Sequence, residues 1–181
     1  SLPAGVTCPA AATATRGAPS SAIEPGLRVQ ATGPEAREAI ARVAYAEAGT
    51  QGDSGLAGVV YTILNRLQDG RWGTTVDSVL NARSQFGPVA RVGGDWRRLP
   101  AVSAAAQARI DTNLNLALEG RLPDLTNGAR FFQNPAIVAN RARAGQVFPG
   151  LVNFGGASPS AVIGAHSFYV EEGRGGRSTS G

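Results

Sequence analysis

The chain has 181 residues, of which 43% are hydrophobic and 17% are charged, which is enough to bury one good core in a single domain. The formal net charge of +4 suits a polyanionic partner. Nucleic acid is disfavoured as that partner, because the aromatic residues are scattered and make up only 6% of the chain, and no nucleic-acid-binding motif is recognisable. The single cysteine argues against a disulfide framework and a metal site built on thiolates, and the single histidine argues against a histidine-rich metal site. No apolar run reaches the roughly 20 residues of a transmembrane helix.

The chain begins with a segment rich in Ala, Pro, Thr, Ser and Gly. Residues 1–31 are predicted to form a flexible extension and residues 171–181 a flexible basic tail, on either side of a domain over residues 32–170. The first residues contain no charged segment followed by an apolar core, so no signal peptide is expected in this sequence. No role is predicted for the lone Cys8.

The first predicted helix carries the most informative residue, Glu47. Thr32 is expected to cap this helix and Gly49 to end it. Glu47 then lies at the C-terminal end of the helix, on the face that carries the apolar residues Ile40, Val43 and Ala44. Partial burial and the negative end of the helix dipole both raise the pKa of such a carboxyl group, towards the range of a general acid. The alternative is a half-solvated residue without a role.

The second predicted helix is broadly apolar and therefore central. Asp53 or Ser54 is its expected N-cap, and apolar residues recur at helical spacing from there to Leu67. Asn65 and Arg66, near its end, are either surface residues or side chains that hold the loops around Glu47.

Shorter elements follow in the second half of the chain. The patterns predict helices over residues 75–82 and about 101–119, strands over 129–132 and 165–170 that pair with each other, and a Gly- and Pro-rich loop over 144–160. Asn134 is a candidate helix cap just after the first strand. The predicted fold class is therefore mainly α (α+β), a helical domain with a small antiparallel β ribbon.

Four short motifs occur in a fixed order along the chain, and their order matters more than any one of them. They are the run from Ala41-Arg42 through Glu47-Ala48 and Ser54-Gly55 to Asn65-Arg66, then Ser84-Gln85-Phe86, the stretch 128–136 (GARFFQNPA), and the stretch 163–169 (IGAHSFY). With these motifs the chain resembles the SleB-type cell-wall hydrolases, the spore-cortex-lytic group and its relatives. The resemblance covers roughly residues 36 to 170.

The resemblance implies a lysozyme-like fold with a cleft between the helices and the ribbon. It implies cleavage of bacterial peptidoglycan between N-acetylmuramic acid and N-acetylglucosamine, by a lytic transglycosylase that forms 1,6-anhydromuramic products with Glu47 as its single acid and base. No cofactor and no metal are expected. The residues expected to bind substrate are Ser54, Tyr45, Tyr61, Gln85, Phe86, Phe132, Asn134 and His166. Core packing is the alternative for the two Phe residues, and a structural role in a strand is the alternative for His166.

Other functions stay open at this point. The family often has a second acid where this chain has Gln51, so a hydrolytic muramidase would need Asp53 or Asp95 instead. A non-catalytic peptidoglycan-binding or virion structural module is the other alternative. The expected partner is peptidoglycan, with a larger envelope or phage-like assembly as a second possibility. The expected location is the periplasm or cell envelope after export, or a virion.

Overall fold

The computed structural model describes residues 25–172, so Cys8 and the predictions for residues 1–24 and 173–181 lie outside the described residues. The helices are α1 (Pro25–Thr32), α2 (Pro34–Ala48), α3 (Gly52–Asp69), α4 (Val76–Leu80), α5 (Gly87–Arg91), α6 (Ala104–Leu118) and α7 (Pro135–Arg143). The strands are β1 (Phe131–Gln133), β2 (Ala161–Ile163) and β3 (His166–Tyr169). Single turns of 3-10 helix lie at Trp96–Arg98 and Pro149–Leu151, and a short helical turn lies at Asn153–Gly156.

Helix α1 differs from the predicted flexible extension, which included residues 25–31. Leu27 packs against the core and Ala31 is fully buried, so two apolar residues four positions apart give this segment a buried face. Arg28 also donates from Nη2 to the carbonyl oxygen of Leu118 at the end of α6, at 2.6 Å. These tertiary contacts outweigh a composition that is typical of a linker.

The predicted helix around Glu47 is confirmed as α2, and Gly49 ends it as predicted, but the predicted N-cap is wrong. Gly33 is the N-cap and Pro34 starts the helix, while the Thr32 hydroxyl donates to the Arg28 carbonyl oxygen within α1. Gly49 has a right-handed backbone (φ −57°), and Gly52 (φ 80°) is the left-handed residue at the start of α3. The chain therefore turns between α2 and α3 at Gly52.

Helix α3 is the centre of the core, as predicted, and packs against α2 and α6. Its Gly58 allows β3 to approach, because a Cβ atom there would lie 2.6 Å from the ring of Phe168. The prediction that Asp53 or Ser54 caps α3 is wrong. Gln51 occupies the cap position without a side-chain hydrogen bond, and Asp53 accepts a 2.5 Å hydrogen bond from Arg109 Nε on α6.

The predicted antiparallel ribbon is a three-stranded antiparallel sheet with the order β1-β3-β2. Phe132 is paired with Phe168 across β1 and β3, and Ile163 with His166 across β2 and β3. Strand β2 is absent from the sequence-based prediction because it has only three residues, and a tight turn around Gly164 (φ 61°) separates it from β3. The fold class of the prediction is confirmed: the domain is mainly helical with a small antiparallel sheet.

Two further findings concern the described residues only. No helix among residues 25–172 is long and apolar enough to cross a membrane. In the same part of the chain, no three His, Cys, Asp or Glu side chains come together as a metal-binding group.

Candidate active site

Glu47 lies in the last turn of α2, where this helix meets the sheet. Its apolar neighbours on the helix, Ile40, Val43 and Ala44, are fully buried, and the Glu47 side chain at the edge of this face is half-buried. No side chain or backbone group of residues 25–172 donates a hydrogen bond to its carboxyl group. The acid is therefore partly removed from water and remains available to a ligand.

The surroundings of Glu47 shift its proton affinity. Burial raises the pKa of Glu47 from 4.5 to about 7, and the positive charges of Arg91 and then Arg66 oppose part of this increase. At neutral pH the protonated and ionised forms are therefore present in similar amounts. A carboxyl group in this range can donate a proton in one step and accept one in the next.

An open cleft of about 260 Å³ surrounds Glu47. The end of α2 and the sheet form its floor, while α5 and α7 contribute further lining residues. The lining residues are Ala46, Glu47, Gln51, Gln85, Gly87, Pro88, Arg91, Phe132, Gln133, Asn134, Ile137, Val138, Arg141 and His166. Glu47 is the one carboxylate among them.

His166 and Gln51 form a polar pair on the cleft floor. His166 Nδ1 lies 3.1 Å from Gln51 Oε1, and the same oxygen accepts a hydrogen bond from the Ala165 backbone at 3.3 Å. Since an amide oxygen only accepts, Nδ1 carries the proton and Nε2 is left as an acceptor. Burial lowers the pKa of His166, so the ring is neutral at neutral pH. The Phe132 ring packs edge-on against it, with 5.3 Å between centroids.

Arg66 and Asn65, at the end of α3, hold the segment that enters β1. Arg66 is buried, donates from Nε to the Arg130 carbonyl oxygen at 2.6 Å, and stacks over Trp72 at 4.5 Å from its ring centroid. Asn65 Nδ2 donates to the Ala129 carbonyl oxygen at 2.9 Å. Because β1 carries Phe132, these contacts position one side of the cleft. The buried Arg66 is therefore not a surface residue, and the role of the pair around Glu47 stays an interpretation.

A larger cavity of about 510 Å³ lies elsewhere, against α3 and the end of α6, and includes Tyr61 and Asp124 in its lining. The Tyr61 hydroxyl donates to the Leu122 carbonyl oxygen. Asp124 accepts four hydrogen bonds, two from Thr126 and one each from Asn65 and Gly128. Its hydrogen-bonding capacity is used within the protein.

Comparison with known families places residues 50–169, more than half of the chain, in the cell wall hydrolase family. The chain belongs to the cell wall hydrolase family. The catalytic domain of the germination-specific lytic transglycosylase SleB from Bacillus anthracis has a similar fold, with a TM-score of 0.51 and 20% sequence identity. That alignment covers 74% of this chain and 92% of the SleB domain, so the SleB-like, lysozyme-like fold is confirmed. No curated protein matches the sequence.

The matched region of this cell wall hydrolase begins three residues after Glu47, so the family match does not itself include that residue. The structure nevertheless brings Glu47 together with residues of the matched region. Four of the residues predicted to bind substrate line the same cleft, namely Gln85, Phe132, Asn134 and His166. Asn134 is also the N-cap of α7, as predicted, and accepts a hydrogen bond from the Ile137 backbone at 3.2 Å.

The other four residues predicted to bind substrate are not among the residues that line this cleft. Phe86 is 1% exposed and packs behind Phe132, with 6.1 Å between ring centroids. Tyr61 lines the larger cavity. Tyr45 and Ser54 are both exposed. Tyr45 is two positions from Glu47 on the helix and so faces a different direction. Contact of these four residues with substrate stays a prediction.

Sequence reasoning missed the two arginines of the cleft, Arg91 and Arg141. Each is in the last turn of a short helix, α5 and α7, and both helices have proline in their first turn. On α7, Ile137 and Arg141 are four residues apart and therefore share a face. That spacing is the signal available in the sequence for Arg141, whereas the approach of α5 to Glu47 depends on the tertiary structure.

Proposed function

We propose that this cell wall hydrolase cleaves the glycan strands of bacterial peptidoglycan between N-acetylmuramic acid and N-acetylglucosamine, as a lytic transglycosylase. The proposal rests mainly on Glu47, a half-buried carboxyl group with a pKa of about 7. Among the described residues it is the one acid that lines its cleft, and the chain belongs to the cell wall hydrolase family. A single group with this proton affinity suits a reaction in which one residue acts first as acid and then as base.

In the first step the protonated Glu47 donates its proton to the oxygen of the glycosidic bond. The bond between this oxygen and C1 of N-acetylmuramic acid then breaks, and C1 develops oxocarbenium-ion character. The C6 hydroxyl group of the same sugar attacks C1, and the Glu47 carboxylate accepts the hydroxyl proton. The ring closes as 1,6-anhydro-N-acetylmuramic acid, and Glu47 is again protonated without consuming water.

Hydrolysis by a muramidase is the second candidate, and the positions of the other acids argue against it. A retaining or inverting hydrolase commonly places its second carboxylate within about 5–9.5 Å of the first. Asp53 is exposed and paired with Arg109, while Asp95 caps the 3-10 turn at Trp96–Arg98. Neither residue lines the cleft. Gln51 occupies the position where the family often has a second acid, and its amide cannot act as a base.

Product analysis tests the proposal. Purified sacculi are digested with the protein, and the released muropeptides are analysed by mass spectrometry. We expect species with 1,6-anhydro-N-acetylmuramic ends, one water lighter than hydrolysis products, and none with Glu47→Gln. Glu38→Gln, which changes an exposed acid on the same helix, is the matched control and should behave like the wild type. Free reducing ends would instead establish hydrolysis, and a folded protein that binds without cleaving would establish the non-catalytic module.

The proposed substrate also fixes where the protein acts. Peptidoglycan lies outside the cytoplasmic membrane, so we place the activity in the periplasm or cell envelope, or on a virion that crosses the wall as part of a larger assembly. Fractionation of the producing cells, followed by detection of the protein in the envelope, in purified particles or in the cytoplasm, tests this placement. Recovery in the cytoplasm alone would contradict it.

A further inference from the structure

We propose that Arg91 and Arg141 bind free carboxylates of the peptide stems of peptidoglycan, so that glycan with unamidated stems is the preferred substrate of the Glu47 cleft. This inference rests on the proposed function, because it assigns the part of the same substrate that the two arginines recognise.

The two arginines occupy equivalent places on two different helices. Arg91 is the last residue of α5, and Arg141 lies in the last turn of α7. Both side chains are exposed and both line the cleft that contains Glu47. A ligand in this cleft that contacts Glu47 therefore meets positive charge contributed by both helices.

Neither guanidinium group has a partner within residues 25–172: no ion pair and no side-chain hydrogen bond involves Arg91 or Arg141 in that part of the chain. Many other arginines of the domain are paired with carboxylates. They include Arg37, Arg42, Arg71, Arg97, Arg109, Arg121 and Arg130. The two arginines of the cleft thus differ from these in being available to an external anion.

The chemistry of the substrate identifies this anion. The glycan backbone of stem-bearing peptidoglycan is built from N-acetylated sugars and is uncharged, because the lactyl carboxyl group is used in the amide bond to the stem. The Gln85 amide in the cleft suits hydroxyl and N-acetyl groups. Arginine suits carboxylates, which it binds through two parallel hydrogen bonds. In this substrate the carboxylates belong to the peptide stems.

Binding of a stem would also affect the acid. The charged or titratable groups around Glu47 are Arg91, Arg66, Arg141 and His166, and the positive charge of Arg91 lowers the pKa of Glu47. A carboxylate bound to Arg91 offsets that charge, so a larger fraction of Glu47 is protonated when a stem-bearing strand is bound. The stem then contributes to catalysis as well as to binding.

The experiment uses synthetic tetrasaccharides of alternating N-acetylglucosamine and N-acetylmuramic acid whose stems differ only in carboxylate amidation. For the wild type we expect kcat/KM to be about 3- to 10-fold higher with free carboxylates, the range for one or two solvent-exposed ion pairs. The double variant Arg91→Gln/Arg141→Gln should cleave both substrates at similar rates. Replacing the second change by Arg141→Lys, in the variant Arg91→Gln/Arg141→Lys, should restore part of the preference for free carboxylates.

Arg143→Gln is the matched control. Arg143 lies two residues from Arg141, bonds to Asn140 and does not line the cleft. We expect this variant to keep the full preference for free carboxylates. If it loses as much preference as Arg141→Gln, the effect is long-range attraction by net charge, and the proposed contact is overturned.

Binding measurements separate this inference from the proposed function. Calorimetry with Glu47→Gln, which should bind without cleaving, should show about 3- to 10-fold tighter binding of the unamidated tetrasaccharide. If the wild type cleaves neither tetrasaccharide but this difference in binding persists, the proposed reaction fails and the stem site stands. Equal rates and equal binding of the two substrates would overturn the stem site while the proposed reaction stands.

Discussion

Two carboxylates of this domain, Glu47 and Asp124, are both half-buried, yet they lie in opposite chemical environments. Asp124 borders the larger cavity and accepts four hydrogen bonds, which fix the turn that leads into β1. Glu47 borders the smaller cleft and accepts none from residues 25–172. The size of a cavity therefore does not single out the proposed active site. The proposed site is marked instead by a titratable group that is desolvated and has no hydrogen-bond partner among the described residues, because the protein does not use such a group for its own stability.

The first way to test this comparison is to neutralise each acid in turn. Glu47→Gln should lower lytic activity on purified sacculi by about 10²–10⁴-fold, the usual contribution of a general acid. Asp124→Asn should keep the activity of the folded protein within about threefold and lower the free energy of unfolding by about 1–3 kcal/mol, since it disturbs a buried hydrogen-bond network. Activity assays and urea unfolding of both variants measure the two effects. Wild-type activity of Glu47→Gln would contradict the assignment of the acid.

The second test concerns how far the desolvated, ionised Glu47 lowers the free energy of unfolding. Its pKa of about 7 exceeds the ordinary value of 4.5, so between these pH values the folded protein binds more protons than the unfolded chain. Stability therefore falls as the pH rises from 4.5 to 7. Glu47→Gln remains neutral, so it should exceed the wild type in unfolding free energy by about 1–3 kcal/mol at pH 8 and equal it near pH 4. Thermal unfolding of both proteins at pH 4 and pH 8 measures this difference in stability. The same difference at both pH values would contradict the prediction.

A third test introduces a second acid into the cleft. Gln51→Glu keeps an oxygen acceptor for His166 and Ala165, and its negative charge should raise the pKa of both His166 and Glu47. A carboxylate at this position can activate water, so part of the product should carry free reducing ends, with a total rate within about tenfold of the wild type. Muropeptide analysis measures the ratio of the two products. An unchanged ratio would show that Gln51 does not decide the product.

The smallest effect is expected at the larger cavity. Tyr61→Phe removes the hydrogen bond to the Leu122 carbonyl oxygen and should lower the free energy of unfolding by about 0.5–1.5 kcal/mol. Lytic activity should stay unchanged, because Tyr61 lies in the larger cavity and outside the cleft lining. Activity assays at a temperature where both proteins are folded test this, and a loss of activity would return Tyr61 to the substrate site.

The amino-acid sequence by itself was sufficient to predict the elements that depend on local periodicity. Helices α2 and α3 follow from apolar residues at helical spacing, and the pairing of β1 with β3 from two short apolar runs. The same reasoning failed where tertiary contacts decide. Helix α1 is held by Arg28 and by the burial of Leu27 and Ala31, and β2 is held by its pairing with β3. Short segments of this kind have little propensity of their own.

The candidate site divides in the same way. The position of Glu47 at the end of a helix and on its apolar face was readable from spacing, because helix geometry fixes which side chains share a face. Which distant residues surround it was decided by the fold. The packing of α5 and α7 at the cleft brings Arg91 and Arg141 into it, the burial of Phe86 removes that ring from the surface, and Tyr61 faces a different cavity. Local geometry is encoded within a few residues, whereas the meeting of side chains from separate helices requires the whole packed core.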